Sequence, residues 1–263
     1  MAPVRGLSIL GGVFSTMVLV SCGGTGDADV TNTRSALEAE NALTANALTA
    51  NALTANALTA NALTANALTA NALTANALTA NGLRDPLGRE LLKYVVSCAL
   101  SDGAGVTVKV DGTTYQFQGS IGLAPNWGRP DGSCDGSCQR WVSACVLARV
   151  DAAGVEREIS IRGDNPALRP TWHELRDYSH REATYYGNIF AEREPRYLCL
   201  SPGATSDTRV CGSSMDDCPM TVVGSCDDVC ADRGAFGTFQ DCRTGRRWSG
   251  GAAYVETVTV FLQ

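Results

Sequence analysis

The sequence predicts an α+β fold: a single disulfide-rich globular head preceded by a low-complexity pentapeptide-repeat stalk. The stalk is indicated by the unit Asn-Ala-Leu-Thr-Ala, which occurs eight times without change from Asn41 to Ala80. The head is indicated by ten of the eleven cysteines, which all follow the repeat. Between these cysteines, helical and alternating strand patterns are mixed along the chain, as expected for an α+β domain.

The repeat has a period that fits neither a helix nor a strand. In a helix each leucine would advance by about 500°, and in a strand successive leucines would point to opposite faces. A four-sided β-solenoid accepts five residues per side, and in this respect the segment resembles pentapeptide-repeat proteins. That family places a small residue two positions before the central leucine and Asn or Asp one position before it. Here Asn stands two positions before each leucine and Ala one position before it. A flexible spacer is the favoured reading and a solenoid the alternative; both make residues 41–83 a stalk.

The N-terminus has the features of an exported lipoprotein. Arg5 precedes an apolar run from Leu7 to Val20, which predicts a secretory signal peptide over residues 1–21. Leu19-Val20-Ser21-Cys22 resembles the lipobox of bacterial lipoproteins, which implies that Cys22 carries the lipid and begins the mature chain. Residues 22–40 then form a tether. Gly23 after the cysteine implies the outer membrane by the same resemblance, with the periplasmic and extracellular faces both open.

Composition excludes some classes of function. The net charge is −6 and there are only two lysines, so the chain lacks the basic patch of a nucleic-acid-binding protein. Eleven cysteines predict an oxidising compartment and disulfide bonds. If Cys22 is lipidated, ten cysteines remain in the head, an even number that can all pair.

The head, residues 84–263, begins with two predicted helices and a hairpin. Asp85-Pro86 begins the first helix, with Asp as N-cap. Asp111-Gly112 joins two alternating runs, residues 106–110 and 113–117, in a hairpin. The second helix is predicted to begin near Ser137 and to end at Gly154.

The rest of the head alternates between short strands and loops. A capping box at Thr171–Glu174 predicts a helix to His180. The strands are predicted at residues 155–162, 183–190, 196–200, 220–223 and 254–262.

The head cysteines are predicted to form disulfides. Cys98 and Cys145 lie on the apolar faces of the two helices, which favours a bridge between them. Cys134 and Cys138 are close enough in sequence to close a small loop. The remaining six allow fifteen pairings, which the sequence leaves open; they are Cys199, Cys211, Cys218, Cys226, Cys230 and Cys242.

Four strings in the head resemble a family of surface lipoproteins of gliding Gram-negative bacteria whose activities are uncharacterised. In that family a low-complexity Asn/Leu/Ala repeat also precedes the head. The resemblance covers about residues 84–263 and implies the domain boundary and the lipid anchor, but it carries no functional residues. The strings are residues 91–100, 141–149, 159–162 and 181–190.

Two groups of cysteines suggest a catalytic thiol or a metal site. Cys134 and Cys138 open a helix, where a thiolate is favoured, in a segment that faintly resembles the nucleophile segment of papain-like proteases. Cys226 and Cys230 with Cys211, Cys218 or Cys242 would supply four thiolates for zinc. In an exported protein disulfides are the favoured interpretation of both groups.

Two further motifs each have a possible functional role and a structural interpretation. His173 and His180, with Glu174 and Glu182, would supply metal ligands or an acid and a base if they shared a helix face. Arg162-Gly163-Asp164 is the tripeptide that adhesive proteins present to integrins. Surface or core positions are the favoured interpretation of the histidines, and chance occurrence that of the tripeptide.

An aromatic and charged group is the best candidate for a ligand surface, because such residues are enriched in recognition sites. A role in the core is the favoured alternative. The group consists of Trp172, Tyr178, Arg181, Glu182, Tyr185 and Tyr186.

The sequence therefore predicts a non-catalytic binding or structural head, held off the outer membrane by a stalk. The partners are the membrane, through the lipid, and an unknown protein or carbohydrate. No cofactor, metal or nucleic acid is expected. The alternative is a secreted hydrolase with a cysteine nucleophile or a metal site.

Overall fold

A computed structural model describes residues 48–51, 83–129, 131–191, 193, 195–204, 209–212, 218–245 and 253–263. The signal peptide, Cys22, the tether and most of the stalk lie outside these residues, so what the sequence predicts for them stays a prediction. Within the described residues, the fold is an α+β head with five disulfides.

The helices begin where the sequence supplies caps. The Asp85 side chain accepts from Leu87 N at 3.0 Å, and Asp135 accepts from Cys138 N at 2.9 Å. Thr171 and Glu174 form the predicted capping box. The four helices of the described residues are α1 (Pro86–Ala99), α2 (Gly136–Ala148), α3 (Trp172–Asp177) and α4 (Cys226–Val229), with 3₁₀ turns at Pro166–Leu168 and Ala235–Gly237.

The strands form three sheets. They are β1 (Leu48–Asn51), β2 (Gly105–Val110), β3 (Thr113–Gln118), β4 (Arg157–Arg162), β5 (His180–Gly187), β6 (Arg196–Leu200), β7 (Thr221–Ser225), β8 (Cys230–Arg233), β9 (Phe239–Arg243), β10 (Ala253–Tyr254) and β11 (Val258–Leu262). The central sheet has the order β1-β4-β11-β5-β6-β7 and is antiparallel except for β6 and β7. Its edge strand β1 comes from the predicted stalk rather than from the predicted head. A second sheet has the order β10-β9-β8, and β2 and β3 form the predicted hairpin. Asp111 and Gly112 both have positive φ, 48° and 84°, as a two-residue type I′ turn requires.

Two cores lie on opposite faces of the central sheet. Helix α2 packs on β5 and β11, and α1 packs on α2 and β3. Successive residues of a strand face opposite sides, so Tyr185 belongs to the helix-side core and Tyr186 to the smaller core. That smaller core also contains Phe239 and four of the cysteines.

Four predicted boundaries were wrong. The strand predicted at residues 183–190 is β5, which spans His180–Gly187. Helix α2 ends at Ala148 rather than Gly154, because the chain turns at Asp151, whose Oδ1 accepts from Ala153 N at 2.9 Å. Helix α3 ends at Asp177, and His180 begins β5. The predicted last strand is divided into β10 and β11 by residues 255–257, where Glu256 turns to bind α2.

The ten head cysteines form five disulfides. Cys98 pairs with Cys145 and Cys134 with Cys138, in agreement with the prediction. The three pairs that the sequence left open are Cys199–Cys226, Cys211–Cys218 and Cys230–Cys242. The bridges agree with the oxidising compartment that the cysteine content predicts.

Candidate functional site

A cavity of about 520 Å³ opens where β4 and β5 begin and β11 ends. We call it the Glu182 cavity, after its most deeply buried acid. It is lined by Arg157, Glu158, Glu182, Arg209, Leu262 and Gln263. Its volume falls in the range of small-molecule sites, and most of its lining is polar.

A β-bulge places Glu182 in this cavity. On β11, Val260 pairs with Ala183 and the next residue, Phe261, pairs with Arg181, so Glu182 has no partner there. An extra residue in one strand changes the direction of its side chain, and such bulges often lie next to binding sites. The Glu182 carbonyl instead accepts from Ser201 N at 3.0 Å, and the residue is only 5% exposed.

Glu182 forms a buried ion pair with Arg209. Arg209 Nη2 lies 3.1 Å from Glu182 Oε2, and both side chains are almost fully buried. Arg209 also donates to the carbonyls of Ala148, at 2.5 Å, and Val150, at the end of α2. These contacts fix the guanidinium, yet its Nε has no hydrogen-bond partner in the part of the chain that the structure describes.

Tyr185 supports Glu182 from behind. Its hydroxyl donates to Glu182 Oε2 at 3.2 Å, and the ring is fully buried. Burial, and next the charge of Glu182, raise the pKa of Tyr185 well above its ordinary value. Tyr185 therefore remains a hydrogen-bond donor at any physiological pH.

Tyr178 joins two residues of the outer wall. Its hydroxyl donates to Glu158 Oε2 at 2.9 Å and accepts from Gln263 Nε2 at 3.2 Å. Burial, followed by the hydrogen bond to Glu158, raises the pKa of Tyr178.

Arg157 Nε lies 3.3 Å from Asp151 Oδ2. Both arginines of the cavity thus have a carboxylate partner within the protein.

The predicted ligand surface is divided between three places. Glu182 lines the cavity, and Tyr178 and Tyr185 hold its walls. Arg181 donates to the Gly237 carbonyl at 2.8 Å, and Tyr186 donates to the Arg243 carbonyl at 2.7 Å in the smaller core.

Trp172, the remaining member of that group, is 63% exposed on α3. Its ring contacts the ring of His173, with centroids 3.4 Å apart, and Arg176 lies over it at 5.2 Å. Arg209 was not among the predicted site residues, because nothing in its local sequence distinguishes it from a surface loop arginine.

The Arg-Gly-Asp tripeptide is not displayed. Arg162 is only 3% exposed, lies 3.8 Å from the centroid of the Phe261 ring, and donates to the carbonyls of Glu174 and Tyr178. Burial lowers the pKa of Arg162 to about 10. An integrin-type partner needs this arginine on the surface.

The histidines do not share a helix face. His173 lies on α3 and His180 begins β5. Glu174 is buried and occupied in the capping box, and Glu182 is paired with Arg209. The structure therefore does not assemble the predicted group.

The cysteine candidates are bonded as disulfides. Cys134 and Cys138 are bridged at the start of α2, so neither is a free thiolate in this state. The Sγ atoms of Cys199, Cys230 and Cys242 lie within 4.8 Å of one another, and Cys199 Sγ is 3.6 Å from Cys230 Sγ. Each of these sulfurs is nevertheless bonded to a disulfide partner.

Comparison with known proteins adds no relative: no family model, curated protein or solved structure matches this chain. The resemblance to lipoproteins of gliding bacteria stays a prediction. None of the helices in the described residues has the length and apolar character needed to cross a membrane.

Proposed function

We propose that this protein is an outer-membrane lipoprotein whose head is a non-catalytic binding module, held off the membrane by the repeat stalk. The Glu182 cavity is its ligand site. The anchor and stalk rest on the signal sequence, Cys22 and the repeat, and the binding role rests on the cavity.

The observation that carries the binding role is the ion pair of Glu182 and Arg209 inside the cavity. A buried ion pair contributes little to stability compared with apolar residues of similar size, because both charges lose their hydration. Here the acid lies on a bulge, and two main-chain carbonyls at the end of α2 hold the guanidinium in place beside it. Polar groups held in fixed positions around a small cavity are what orient a ligand.

Filling the cavity tests this role. Leu262→Trp adds an indole at the cavity wall, and we expect it to abolish ligand-induced thermal stabilisation of the mature chain. Leu175→Trp is the matched control, since Leu175 lies exposed on α3 and does not line the cavity. The probes are monosaccharides, free amino acids and short carboxylic acids. If none of them shifts the melting temperature of the unchanged protein, the cavity is not a small-molecule site.

The anchor is tested separately in the full chain. We expect Cys22→Ser to release the protein from the membrane fraction and to abolish incorporation of labelled palmitate in a Gram-negative host. Cys134→Ser, which removes a head cysteine, is the control and is expected to retain the label. A Cys22→Ser protein that stays labelled in the outer membrane would contradict the proposal.

The alternative prediction, a hydrolase with a cysteine nucleophile or a metal, gains no supporting observation from the described residues. The cysteines proposed for either role are bonded in pairs.

A further inference from the structure

We infer that the Glu182 cavity binds a neutral, hydroxyl-rich ligand, namely a sugar ring. This inference rests on the proposed function, because it names the ligand class of the same cavity. Three properties of the described lining support it: the carboxylate partners that already occupy its arginines, its unused hydrogen-bonding groups and the aliphatic side chain of Leu262.

The cations of the described lining already have carboxylate partners. Arg209 is paired with Glu182 and Arg157 with Asp151. Glu158 is exposed and has no cationic partner among the described residues; its carboxylate receives the Tyr178 hydroxyl. An anionic ligand would be repelled by Glu158, and it would have to displace Glu182 or Asp151 from its arginine. A neutral ligand has neither cost, and its hydroxyl groups can donate to the Glu158 carboxylate.

The unused groups include both donors and acceptors. The Gln263 amide nitrogen donates one N–H to the Tyr178 hydroxyl and has a second N–H that remains available. Glu158 receives the Tyr178 hydroxyl at Oε2, so its other oxygen remains available, and Gln263 has an amide oxygen beside it. A hydroxyl group is the simplest ligand group that both donates and accepts. Several hydroxyls at fixed angles, as on a sugar ring, match such a lining.

The remaining wall is Leu262, which is partly buried against the helix-side core. A sugar ring carries C–H groups as well as hydroxyls, so an aliphatic wall opposite polar groups suits it. The cavity volume of about 520 Å³ is large enough for a small carbohydrate.

The test uses the mature chain, residues 22–263, with Cys22→Ser to keep it free of lipid. A glycan array identifies the preferred sugar, and titration calorimetry measures its affinity together with those of glycine and acetate. We expect saturable binding of the sugar and none of glycine or acetate. Because the ligand is neutral, we expect its affinity to change little between low and high salt.

Two variants locate the site. We expect Glu158→Ala to weaken sugar binding at least tenfold, because it removes an acceptor from the wall. The matched control is Glu156→Ala, an exposed carboxylate two residues earlier that does not line the cavity. Gln263→Ala is a second wall variant, with the same expectation of weaker binding.

Three results would overturn the inference, and they separate it from the proposed function. Glycine or acetate binding that depends on Glu158 or Leu262 would keep the cavity as the site but refute the sugar. Sugar binding that neither Glu158→Ala nor Leu262→Trp weakens would place the sugar elsewhere. An array without signal, together with no binding of glycine or acetate, would refute both the ligand class and the binding role.

Discussion

Arg149 shows how a single side chain can lower the stability of the head. It is the C-cap of α2 and is only 3% exposed, and it donates to Ser97 Oγ at 2.8 Å. Its Nε and Nη2 have no hydrogen-bond partner among the described residues. Burial lowers the pKa of Arg149 to about 10, a sign that the charged form is poorly accommodated.

Replacement of Arg149 by methionine is therefore expected to stabilise the protein. Arg149→Met removes the unsatisfied donors while keeping an aliphatic stem, and we expect a gain of about 1–3 kcal/mol in the free energy of unfolding. Urea denaturation of the mature chain measures it. Arg176→Met, at an exposed arginine on α3, is the control and should change stability by less than about 0.5 kcal/mol. If Arg149→Met had a lower free energy of unfolding, the charged guanidinium of Arg149 would contribute favourably to stability in its buried position.

Glu256 makes a pH-dependent contribution to the stability of the head. It accepts from Arg140 Nε at 2.7 Å and from Ser137 Oγ at 2.6 Å. Burial alone would raise the pKa of Glu256, but these hydrogen bonds outweigh it and hold the pKa below its ordinary value of 4.5. A lowered pKa contributes stability above pH 4.5, and that contribution is lost as the pH falls further.

We expect Glu256→Gln to cost about 1–3 kcal/mol at pH 7, since a charge-assisted hydrogen bond is lost. The difference from the unchanged protein should narrow as the pH falls below 4.5. Unfolding free energies at a series of pH values measure this, with Glu156→Gln as an exposed control. A difference that stays constant down to the lowest pH would mean that the charge of Glu256 contributes nothing.

The residues of the cavity were only partly predictable. Glu182 was singled out, but strict alternation would have placed it on the face of Thr184 and Tyr186, in the smaller core. The bulge that redirects it depends on how β11 pairs with β5, and that pairing joins residues far apart in the chain. Arg209 reaches Glu182 from a distant loop, so no local pattern could have joined them.

Among the elements, local chemistry predicted the starts of helices better than their ends. Asp85 and Thr171 act within three residues, so their caps could be predicted from the sequence. The Asp135 cap of α2 is equally local but was not predicted, although the expected start near Ser137 lies within two residues of it. The segment after Ala148 continues a helical pattern, and only the Asp151 turn and the contacts of Arg209 with the last carbonyls end it. The end of α2 thus combines a local turn at Asp151 with a tertiary contact from Arg209.

The two disulfides of α2 should differ in what they contribute. Cys98–Cys145 closes a loop with a sequence separation of 47, and Cys134–Cys138 one of 4. On the chain-entropy model the first contributes about 4 kcal/mol and the second about 2 kcal/mol. We expect Cys98→Ala/Cys145→Ala to be about 2 kcal/mol less stable than Cys134→Ala/Cys138→Ala in urea denaturation. Equal losses would show that native-state packing, rather than loop length, determines the effect.

For the whole molecule, the α+β class, the disulfide-rich head and the hairpin were predictable because they depend on composition and short patterns. The pairing of the six late cysteines was not, because most of the strands and the short helix that carry Cys226, Cys230 and Cys242 were not predicted from the sequence. In the structure Cys199, Cys226, Cys230 and Cys242 meet in the smaller core, where they form two of the three bridges.

A complete set of bridges gives a prediction for the intact chain. Mature protein with Cys22→Ser, purified from an oxidising compartment, should weigh ten hydrogens less than its reduced form, two for each of the five bridges. Intact mass after treatment with an alkylating reagent, without prior reduction, should show no addition. Reduced and unfolded protein is the positive control and should gain ten alkyl groups. Any alkylated cysteine in the oxidised sample would reopen the hypotheses of a reactive thiol or a metal site.

The contact between Cys199 and Cys230 has a consequence for how the protein matures in the cell. Two bridges lie side by side, with sulfurs from different bridges 3.6 Å apart. Four cysteines can be joined in three ways. Cys199 and Cys230, which belong to different native bridges, are close enough in the native fold to form a wrong bridge with each other. Oxidation alone therefore does not select the native disulfides over the wrong ones. We expect the yield of native protein to depend on a disulfide isomerase, so that correction of wrong bridges limits how much folded head accumulates.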